Sequence, residues 1–363
     1  MIFSGTIIAH LGQKTIAVSG TVIAGVGSFI FPLVIQQSFP AACFLRGAIG
    51  MSHATLMPAL QAMLIPWAPH HESSRFFFFQ GSGCLVGSVG SFYMGGPFIR
   101  RFGWKNLFVM GGVSSITTGL LYSLLVHTTP EASRFVKKDE LEYIKEHRLN
   151  FKSKSKTNIP YVKMLTSKPV WSVNIAFSTF AVVHTFFTNI MPKYLTDQLN
   201  VDLDLAGQMT SLPSFIEFFF ALGATIVADF LLKKGYTIKT VRRGIMVIAQ
   251  LIPGVLCLVL SQLNDFVMIM ITSTILLSVS GIQPSGAFLN INELCPPYAA
   301  AGFAVANTLG NVSGTMLLQS LGPILETWGK TQKSWGIIFG VMGIFNIIGK
   351  VFFVKIISER KIV

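Results

Sequence analysis

Residues 44–75 read FLRGAIGMSHATLMPALQAMLIPWAPHHESSR and combine a long apolar run with one embedded guanidinium group. The chain is mostly apolar between Arg46 and Pro66, and about 20 such residues are enough to cross the hydrocarbon core of a bilayer. An arginine inside hydrocarbon costs at least about 2.5–3.5 kcal/mol, so it normally faces a bundle interior or a water-filled cavity. The stretch predicts a membrane-spanning helix whose Arg46 meets an anion or, alternatively, snorkels to the interface.

Composition places the whole chain in a membrane. Of 363 residues, 51% are hydrophobic and only 12% are charged, and the mean hydropathy is +0.61. Soluble domains carry about 25% charged residues, which excludes that class. The net charge of +13 suggests nucleic acid, but the basic residues lie in loops between apolar runs, and the positive-inside rule explains them better. The four cysteines form no CxxC or disulfide framework, and we expect neither a cofactor nor a metal.

The apolar runs of spanning length predict ten transmembrane helices and three regions. The polar segment 128–168 separates a partial N-terminal bundle of four spans, residues 1–127, from a C-terminal six-helix bundle, residues 169–363. We interpret it as a cytoplasmic linker with one amphipathic helix over 139–148. The predicted spans are 15–36, 40–65, 75–99, 104–127, 169–192, 207–232, 241–262, 265–289, 298–324 and 334–357.

Basic residues indicate the orientation of these spans. Twenty of the 28 lysines and arginines lie on the linker side and six lie on the opposite side. Because cytoplasmic loops carry the excess of Lys and Arg, the linker and both termini are predicted to be cytoplasmic. The pair Arg100-Arg101 runs against this rule, and nothing in the sequence explains it.

The end of the opening stretch carries a family resemblance. An arginine is followed by small residues and a proline, and then by a polar motif, which resembles the fourth helix of solute carrier family 17. These organic anion transporters include sialin, the vesicular glutamate transporters and the sodium-phosphate transporters, within the major facilitator superfamily. Further matches lie in register along the chain, with glutamate at 293 where the family usually has aspartate. The motif residues are Trp67, Pro69, Glu72, Arg75, Asp229 and Glu293.

A weak internal repeat extends the resemblance. Residues 5–14, GTIIAHLGQK, resemble the superfamily's loop between helices two and three, with Ala9 in place of the aspartate and His10 in place of the arginine. Residues 225–235, which include Asp229, are similar to the same loop. The resemblance implies that the chain corresponds to family helices 3–12. On that basis we expect two helices to be absent and the chain by itself not to transport.

The resemblance also implies a fold and a function. The expected fold is an all-α polytopic membrane protein of the major facilitator type. The expected function is secondary active transport of a small organic or inorganic anion (phosphate, sialic acid, urate or an acidic amino acid) by alternating access, coupled to sodium or protons. The expected location is the plasma membrane or a vesicular or lysosomal membrane. Two alternatives stay open: a non-transporting membrane protein, such as a truncated isoform or a partner of a full-length copy, and a membrane-embedded enzyme. No His/Asp/Ser cluster supports the enzyme.

Substrate contacts are predicted from two helices. Arg46 matches an arginine that is essential in the family, and a planar guanidinium holds a carboxylate or phosphate with two parallel hydrogen bonds. His53 follows seven residues later on the same helix face. Family members coupled to protons carry glutamate there, so the histidine is either a proton carrier or a packing residue. Asn307 and Asn311 either line the cavity or bridge helices.

Two further residues are proton-coupling candidates with His53. Glu217 is an acid set among aromatic residues, which suits a proton relay. It has no family counterpart, and a structural pairing with His184 or with the linker-side machinery is the alternative. His184 lies where the vesicular glutamate transporters carry an arginine, whose own position is taken here by Phe180. The chain therefore resembles other branches of the family more than it resembles those transporters.

Overall fold

The computed structural model describes residues 4–69, 72–148, 159–295 and 298–357, and within these ranges the chain is almost entirely helical. Two short 3-10 turns occur at Pro130–Ala132 and Gln283–Ser285. The helices are α1 (Ser4–Leu11), α2 (Gln13–Gln37), α3 (Phe39–Ala54), α4 (Leu56–Leu64), α5 (Ser73–Phe102), α6 (Trp104–Leu125), α7 (Lys138–His147), α8 (Tyr161–Leu165), α9 (Lys168–Asn189), α10 (Met191–Leu199), α11 (Leu203–Lys233), α12 (Ile238–Leu260), α13 (Phe266–Ser280), α14 (Ala287–Leu294), α15 (Ala299–Trp328) and α16 (Gln332–Ile356).

The predicted all-α membrane fold is confirmed. Every predicted span is helical, and the described part of the chain has seven helical segments long and apolar enough to cross a membrane. These segments belong to α2, α6, α9, α11, α12, α16 and the run from Phe266 to Ile291. The remaining predicted spans appear as the pair α3 and α4, as α5 and as α15.

Two predicted spans are broken rather than continuous. The span predicted over 40–65 divides between α3, which ends at Ala54, and α4. The span predicted over 265–289 ends at Ser280 and resumes as α14 after a 3-10 turn. In both cases a proline lies four residues after the last helical residue, Pro58 after Ala54 and Pro284 after Ser280. Because proline has no backbone N–H and its ring clashes with the carbonyl of the residue four positions earlier, the helix stops there.

The linker is only partly described. Its helix α7 (Lys138–His147) matches the predicted amphipathic helix to within one residue at each end. Residues 149–158, which include three of the predicted cytoplasmic lysines, lie outside the described residues, as do Arg360 and Lys361.

Contacts along the chain define two compact units. The first contains Met1–Glu72, Pro97–Pro160 and Pro296–Val305, and the second contains Ser73–Gly96, Tyr161–Cys295 and Ala306–Val363. The division into regions 1–127, 128–168 and 169–363 remains a prediction.

The first unit is organised by the packing of α2 on α6. Glycines bring the two backbones together, since a Cβ atom on Gly112 would lie 2.7 Å from the carbonyl oxygen of Gly25. Ser115 Oγ donates a hydrogen bond to the Thr21 carbonyl at 2.9 Å across the same interface. Small residues at a helix interface are typical of membrane bundles, where close approach replaces the hydrophobic effect as the source of stability.

The second unit repeats this arrangement. Helices α12 and α16 approach through Gly254 and Gly343, and a Cβ atom on Gly343 would lie 2.7 Å from the Gly254 carbonyl oxygen. An aromatic core lies beside them, where Phe186 contacts Phe339 edge-on at 5.0 Å and Tyr194 contacts Trp335 at 5.1 Å. Glycine-mediated helix packing therefore occurs in both units, consistent with an internal repeat.

Candidate functional site

Arg46 lies in the third turn of α3, away from the helix ends. Its guanidinium carbon is 4.5 Å from the ring centroid of Phe31 and 4.9 Å from that of Phe108. The two rings belong to α2 and α6, and their centroids are 4.9 Å apart. The side chain is otherwise exposed. Within the described ranges, Arg46 makes no ion pair with a carboxylate.

The sequence around Arg46 lacks counter-charges. Between residues 1 and 130 the only acidic residue is Glu72, so α2, α3, α4 and α6 contain no carboxylate at all. The charge of Arg46 is therefore not neutralised by any helix that packs around it in the first unit. An anion is the natural complement of such a group.

His53 lies in the last turn of α3 and is exposed, as Arg46 is. Seven residues along one helix correspond to about 10 Å, so the two side chains project from the same face about two turns apart. The structure thus places the two predicted residues on one exposed face.

Glu217 is buried in the second unit, with 1% of its surface exposed. Its Oε1 atom would lie 2.9 Å from a Cβ atom on Gly281, at the point where α13 ends. Its Oε2 atom is buried and has no hydrogen-bond partner among the described residues. The alternative pairing with His184 is not present in that part of the chain. His184 instead stacks on Phe180, with ring centroids 5.3 Å apart.

Asn307 and Asn311 interact with each other one turn apart on α15. The Nδ2 atom of Asn311 donates to the Asn307 carbonyl at 2.8 Å and to Asn307 Oδ1 at 3.0 Å. Both roles predicted for this pair, cavity lining and helix bridging, stay open.

A buried ion pair lies elsewhere in the second unit and joins α12 to α14. Arg242 is completely buried, and its Nη2 atom lies 2.8 Å from Glu293 Oε1. Its Nη1 atom donates to the Ser285 carbonyl at 2.7 Å and to Ser74 Oγ at 3.2 Å. Asn290 Nδ2 donates to the second carboxylate oxygen of Glu293 at 3.1 Å. Several hydrogen bonds per charge are what a buried ion pair requires, because each desolvated ion is costly on its own.

A second acid in this cluster, Asp229 of α11, caps the start of α5. Its Oδ2 atom accepts the backbone N–H of Arg75 at 3.2 Å and lies 3.5 Å from Arg75 Nε. The carboxylate is fully buried, whereas the Arg75 side chain is 42% exposed. A negative charge at a helix N-terminus is favourable because the unpaired N–H groups carry partial positive charge. Together the two ion pairs connect the beginning of α5 with α11, α12 and α14.

Three motif residues predicted from sequence, Arg75, Asp229 and Glu293, are therefore assembled in one cluster. The sequence analysis missed Arg242 as a site residue and counted it only among the basic residues on the linker side. A signal was present, because Arg242 lies four residues before Met246 and seven before Ala249 on one helix face, and both are buried. A charged residue on the buried face of a helix indicates a specific partner.

The other motif residues lie beside the linker in the first unit. Arg148 pairs with Glu131 at 2.7 Å, and its Nη1 donates to the Pro66 carbonyl at 3.4 Å. The backbone of Arg148 also forms an isolated bridge with Pro69. Partial burial acts to raise the pKa of Glu131, but hydrogen bonds and the Arg148 charge outweigh it, so the pKa is lowered overall.

The same linker contact involves Glu72 and Trp67. The Tyr143 hydroxyl of α7 hydrogen-bonds the Glu72 carboxylate, and partial burial together with that negative charge raises the pKa of Tyr143. Trp67 is half-buried, and its backbone N–H donates to the Leu64 carbonyl at 3.0 Å. This part of the motif therefore has a structural role, since it anchors the linker to the end of α4.

Comparison with known proteins gives a consistent result. A family profile described as Major Facilitator Superfamily matches residues 1–318. Sialin of Homo sapiens is 26% identical over 356 residues, which cover 96% of this chain and 70% of sialin. Sodium-dependent phosphate transport protein 1 of Oryctolagus cuniculus is 27% identical over 308 residues, covering 84% of this chain and 65% of that protein. The solved structure of the proton:xylose symporter XylE bound to 6-bromo-6-deoxy-D-glucose has a TM-score of 0.72 at 16% identity, covering 99% of this chain and 83% of that one. The resemblance predicted from the motifs is confirmed by these relatives.

Proposed function

Because the chain belongs to the Major Facilitator Superfamily, we propose that this multi-pass membrane protein is a secondary transporter of small anions and that Arg46 is its anion contact. The observation that carries the proposal is the charge of Arg46, which lies on an exposed helix face in a unit whose spans contain no carboxylate. The relatives support the solute class, since one is named as a phosphate transport protein.

The chemistry of the guanidinium supports the same solute class. It is planar, always charged and presents several N–H donors in a rigid fork, which matches a carboxylate or phosphate in two-point contact. A lysine ammonium at that position would attract an anion without fixing its orientation. His53, about two turns away on the same face, supplies a second polar contact for a longer anion.

Coupling to a cation is proposed at Glu217. A buried carboxyl that has no cationic partner within its described surroundings requires a proton or a metal cation for charge balance. The packing of Glu217 against the end of α13 also supports a coupling role. Helix C-termini and unwound backbone carbonyls hold sodium ions or protons in secondary transporters. Related proteins are named for either ion, as sodium-dependent or as a proton symporter. His53 and His184 remain the other two candidates.

The two ion pairs, Arg75 with Asp229 and Arg242 with Glu293, bear on the conformational change during transport. Arg75 and Asp229 hold the start of α5 to α11, and Arg242 and Glu293 join α12 to α14. Any step of the cycle that moves the start of α5 away from α11 has to break the first pair and the hydrogen bond from Arg242 to Ser74. We propose that this cluster stabilises one conformation of the alternating-access cycle.

The experiment that tests the proposed function is uptake into proteoliposomes that contain the purified chain. Phosphate, urate, sialic acid and glutamate are offered under an imposed sodium or proton gradient. We expect saturable uptake of at least one anion and its loss in Arg46→Gln, a result that would overturn the expectation from the sequence that the chain by itself does not transport. Absence of saturable uptake of all four would favour a non-transporting membrane protein.

A further inference from the structure

We propose that Phe31 and Phe108 are positioning residues for Arg46, and that they stabilise its charge through their ring faces without neutralising it. This inference rests on the proposed function, in which Arg46 contacts the anion. The two phenylalanines and Arg46 are called the aromatic bracket below.

The geometry brings three helices to one point. The guanidinium carbon of Arg46, on α3, lies over the rings of Phe31 on α2 and Phe108 on α6, at 4.5 Å and 4.9 Å. Both distances are within the range of about 6 Å in which a cation is attracted by the ring quadrupole. Trp104 contacts the Phe108 ring edge-on at 5.9 Å and an angle of 88°, so that ring is itself held by a neighbour.

The helix pair beneath the bracket fixes the position of its rings. Phe31 follows Gly25 by six residues on α2, and Phe108 precedes Gly112 by four residues on α6. Those two glycines lie where the helices approach closely and leave no room for a Cβ atom. Phe31 is 8% exposed, so its ring is packed rather than free to rotate into lipid. The rings are therefore placed by the backbone packing of α2 and α6 and not by Arg46 alone.

Aromatic rings stabilise the guanidinium charge of Arg46 without occupying its N–H donors, whereas a carboxylate would occupy them. A guanidinium among apolar helices needs a compensating interaction, because its charge is costly there. A carboxylate partner would take two of the N–H donors in a bidentate pair and cancel the charge. Ring faces attract the cation while accepting none of its in-plane N–H groups. In the spans of the first unit there is no Asp or Glu, so the rings are the compensation that these helices offer.

The bracket also determines how an anion approaches. Both rings contact the guanidinium carbon from one side, since their centroids lie 4.5 Å and 4.9 Å from that carbon and 4.9 Å from each other. An oxyanion then binds from the open side, where N–H donors of the guanidinium can form two parallel hydrogen bonds. We infer that loss of either ring lets the guanidinium change orientation, which weakens anion binding although Arg46 itself is intact.

The test separates ring electrostatics from ring size. Phenylalanine at position 31 or 108 is replaced in the full chain by its mono-, di- and trifluoro analogues, which weaken the negative ring face with little change in volume. The dissociation constants of radiolabelled sialic acid and inorganic phosphate are measured in detergent. We expect the affinity to fall stepwise with fluorination, by about three- to tenfold for the trifluoro ring. Phe108→Leu should lose at least as much, and Phe108→Tyr should retain most of the binding because the ring face persists.

Controls keep the proposal distinct from the function on which it rests. Phe29→Leu removes an exposed ring of the same helix that makes no contact with Arg46 in the described structure, and it should leave the affinity unchanged. Thermal unfolding of each fluorinated variant checks that the fold is retained. If Arg46→Gln abolishes binding while fluorination at both positions leaves the affinity unchanged, this inference is wrong and the proposed function survives. If the wild-type chain binds neither probe, both are overturned.

Discussion

Gly281 leaves the space that the side chain of Glu217 occupies. A Cβ atom on Gly281 would overlap the Cγ atom of Glu217 and lie 2.9 Å from its Oε1 atom. The contact is entirely buried and lies where α13 ends before the 3-10 turn at Gln283–Ser285. The packing of this buried acid therefore depends on the glycine that follows the last residue of α13.

Gly281→Ala should destabilise the protein because the new methyl group collides with Glu217. Overpacking of a close contact typically costs about 1–3 kcal/mol, which lowers the midpoint of thermal unfolding in detergent. The double variant Gly281→Ala/Glu217→Ala should recover much of that loss, since the shorter side chain vacates the space. Gly244→Ala on α12 is the matched control, because a Cβ atom there has nothing within 4 Å. Equal destabilisation by the two single substitutions would show that the contact is not specific.

Glu217→Gln should uncouple transport from its driving cation. The substitution keeps the size of the side chain but removes its proton-binding site and the negative charge that would balance a bound metal cation. We expect loss of uptake driven by a proton or sodium gradient and retention of counterflow, the exchange of labelled for unlabelled anion without a gradient. If the variant loses its response to only one of the two gradients, the ion of that gradient is the coupling ion. His53→Gln in parallel separates the two candidates, and full gradient-driven uptake in Glu217→Gln assigns coupling elsewhere.

Arg46→Lys should restore only part of the uptake that Arg46→Gln abolishes. Lysine retains the charge, but its ammonium group cannot hold a carboxylate or phosphate with two parallel hydrogen bonds. The expected result is a raised KM with a smaller change in the maximal rate, measured as initial uptake into proteoliposomes. Wild-type kinetics in Arg46→Gln would indicate that this guanidinium snorkels to the interface.

Arg242→Met should be strongly destabilising because it leaves Glu293 buried without its partner. Removal of one member of a buried ion pair costs about 3–5 kcal/mol, whereas replacement of both members by apolar residues is often tolerated. The double variant Arg242→Met/Glu293→Met should therefore unfold at a higher temperature than Arg242→Met alone. The pair of Lys330 with Asp197 provides the comparison, since Lys330 is 55% exposed. For Lys330→Met we expect a loss below about 1 kcal/mol, as for most surface ion pairs.

The linker should be cytoplasmic. In a background without Cys43 and Cys84, which are both exposed, a single cysteine at Glu142 on α7 should resist an impermeant maleimide in intact cells. It should react after permeabilisation. A cysteine at the exposed Lys333, on the opposite side of the predicted membrane, should react without permeabilisation. The reverse pattern would overturn the orientation deduced from the basic residues.

The sequence by itself determined which segments are helical. Apolar runs of spanning length predicted every spanning segment, because a bilayer satisfies backbone polar groups only within helices. The interruptions after Ala54 and Ser280 were not predicted. Each has a proline four residues ahead, but a proline alone does not identify a break, because Pro32 and Pro253 lie inside continuous helices. The common face of Arg46 and His53 needed only the helical period.

Tertiary structure decided which side chains meet across helices. The aromatic bracket around Arg46 joins residues from α2, α3 and α6, and the ion pair of Arg242 with Glu293 spans 51 positions of sequence. Neither contact has a local signature, because it depends on the rotation and depth of helices packed through glycines such as Gly25 and Gly112. The helical period predicts which face of a helix a residue occupies. The residue that it contacts on another helix is determined by how closely the helices pack.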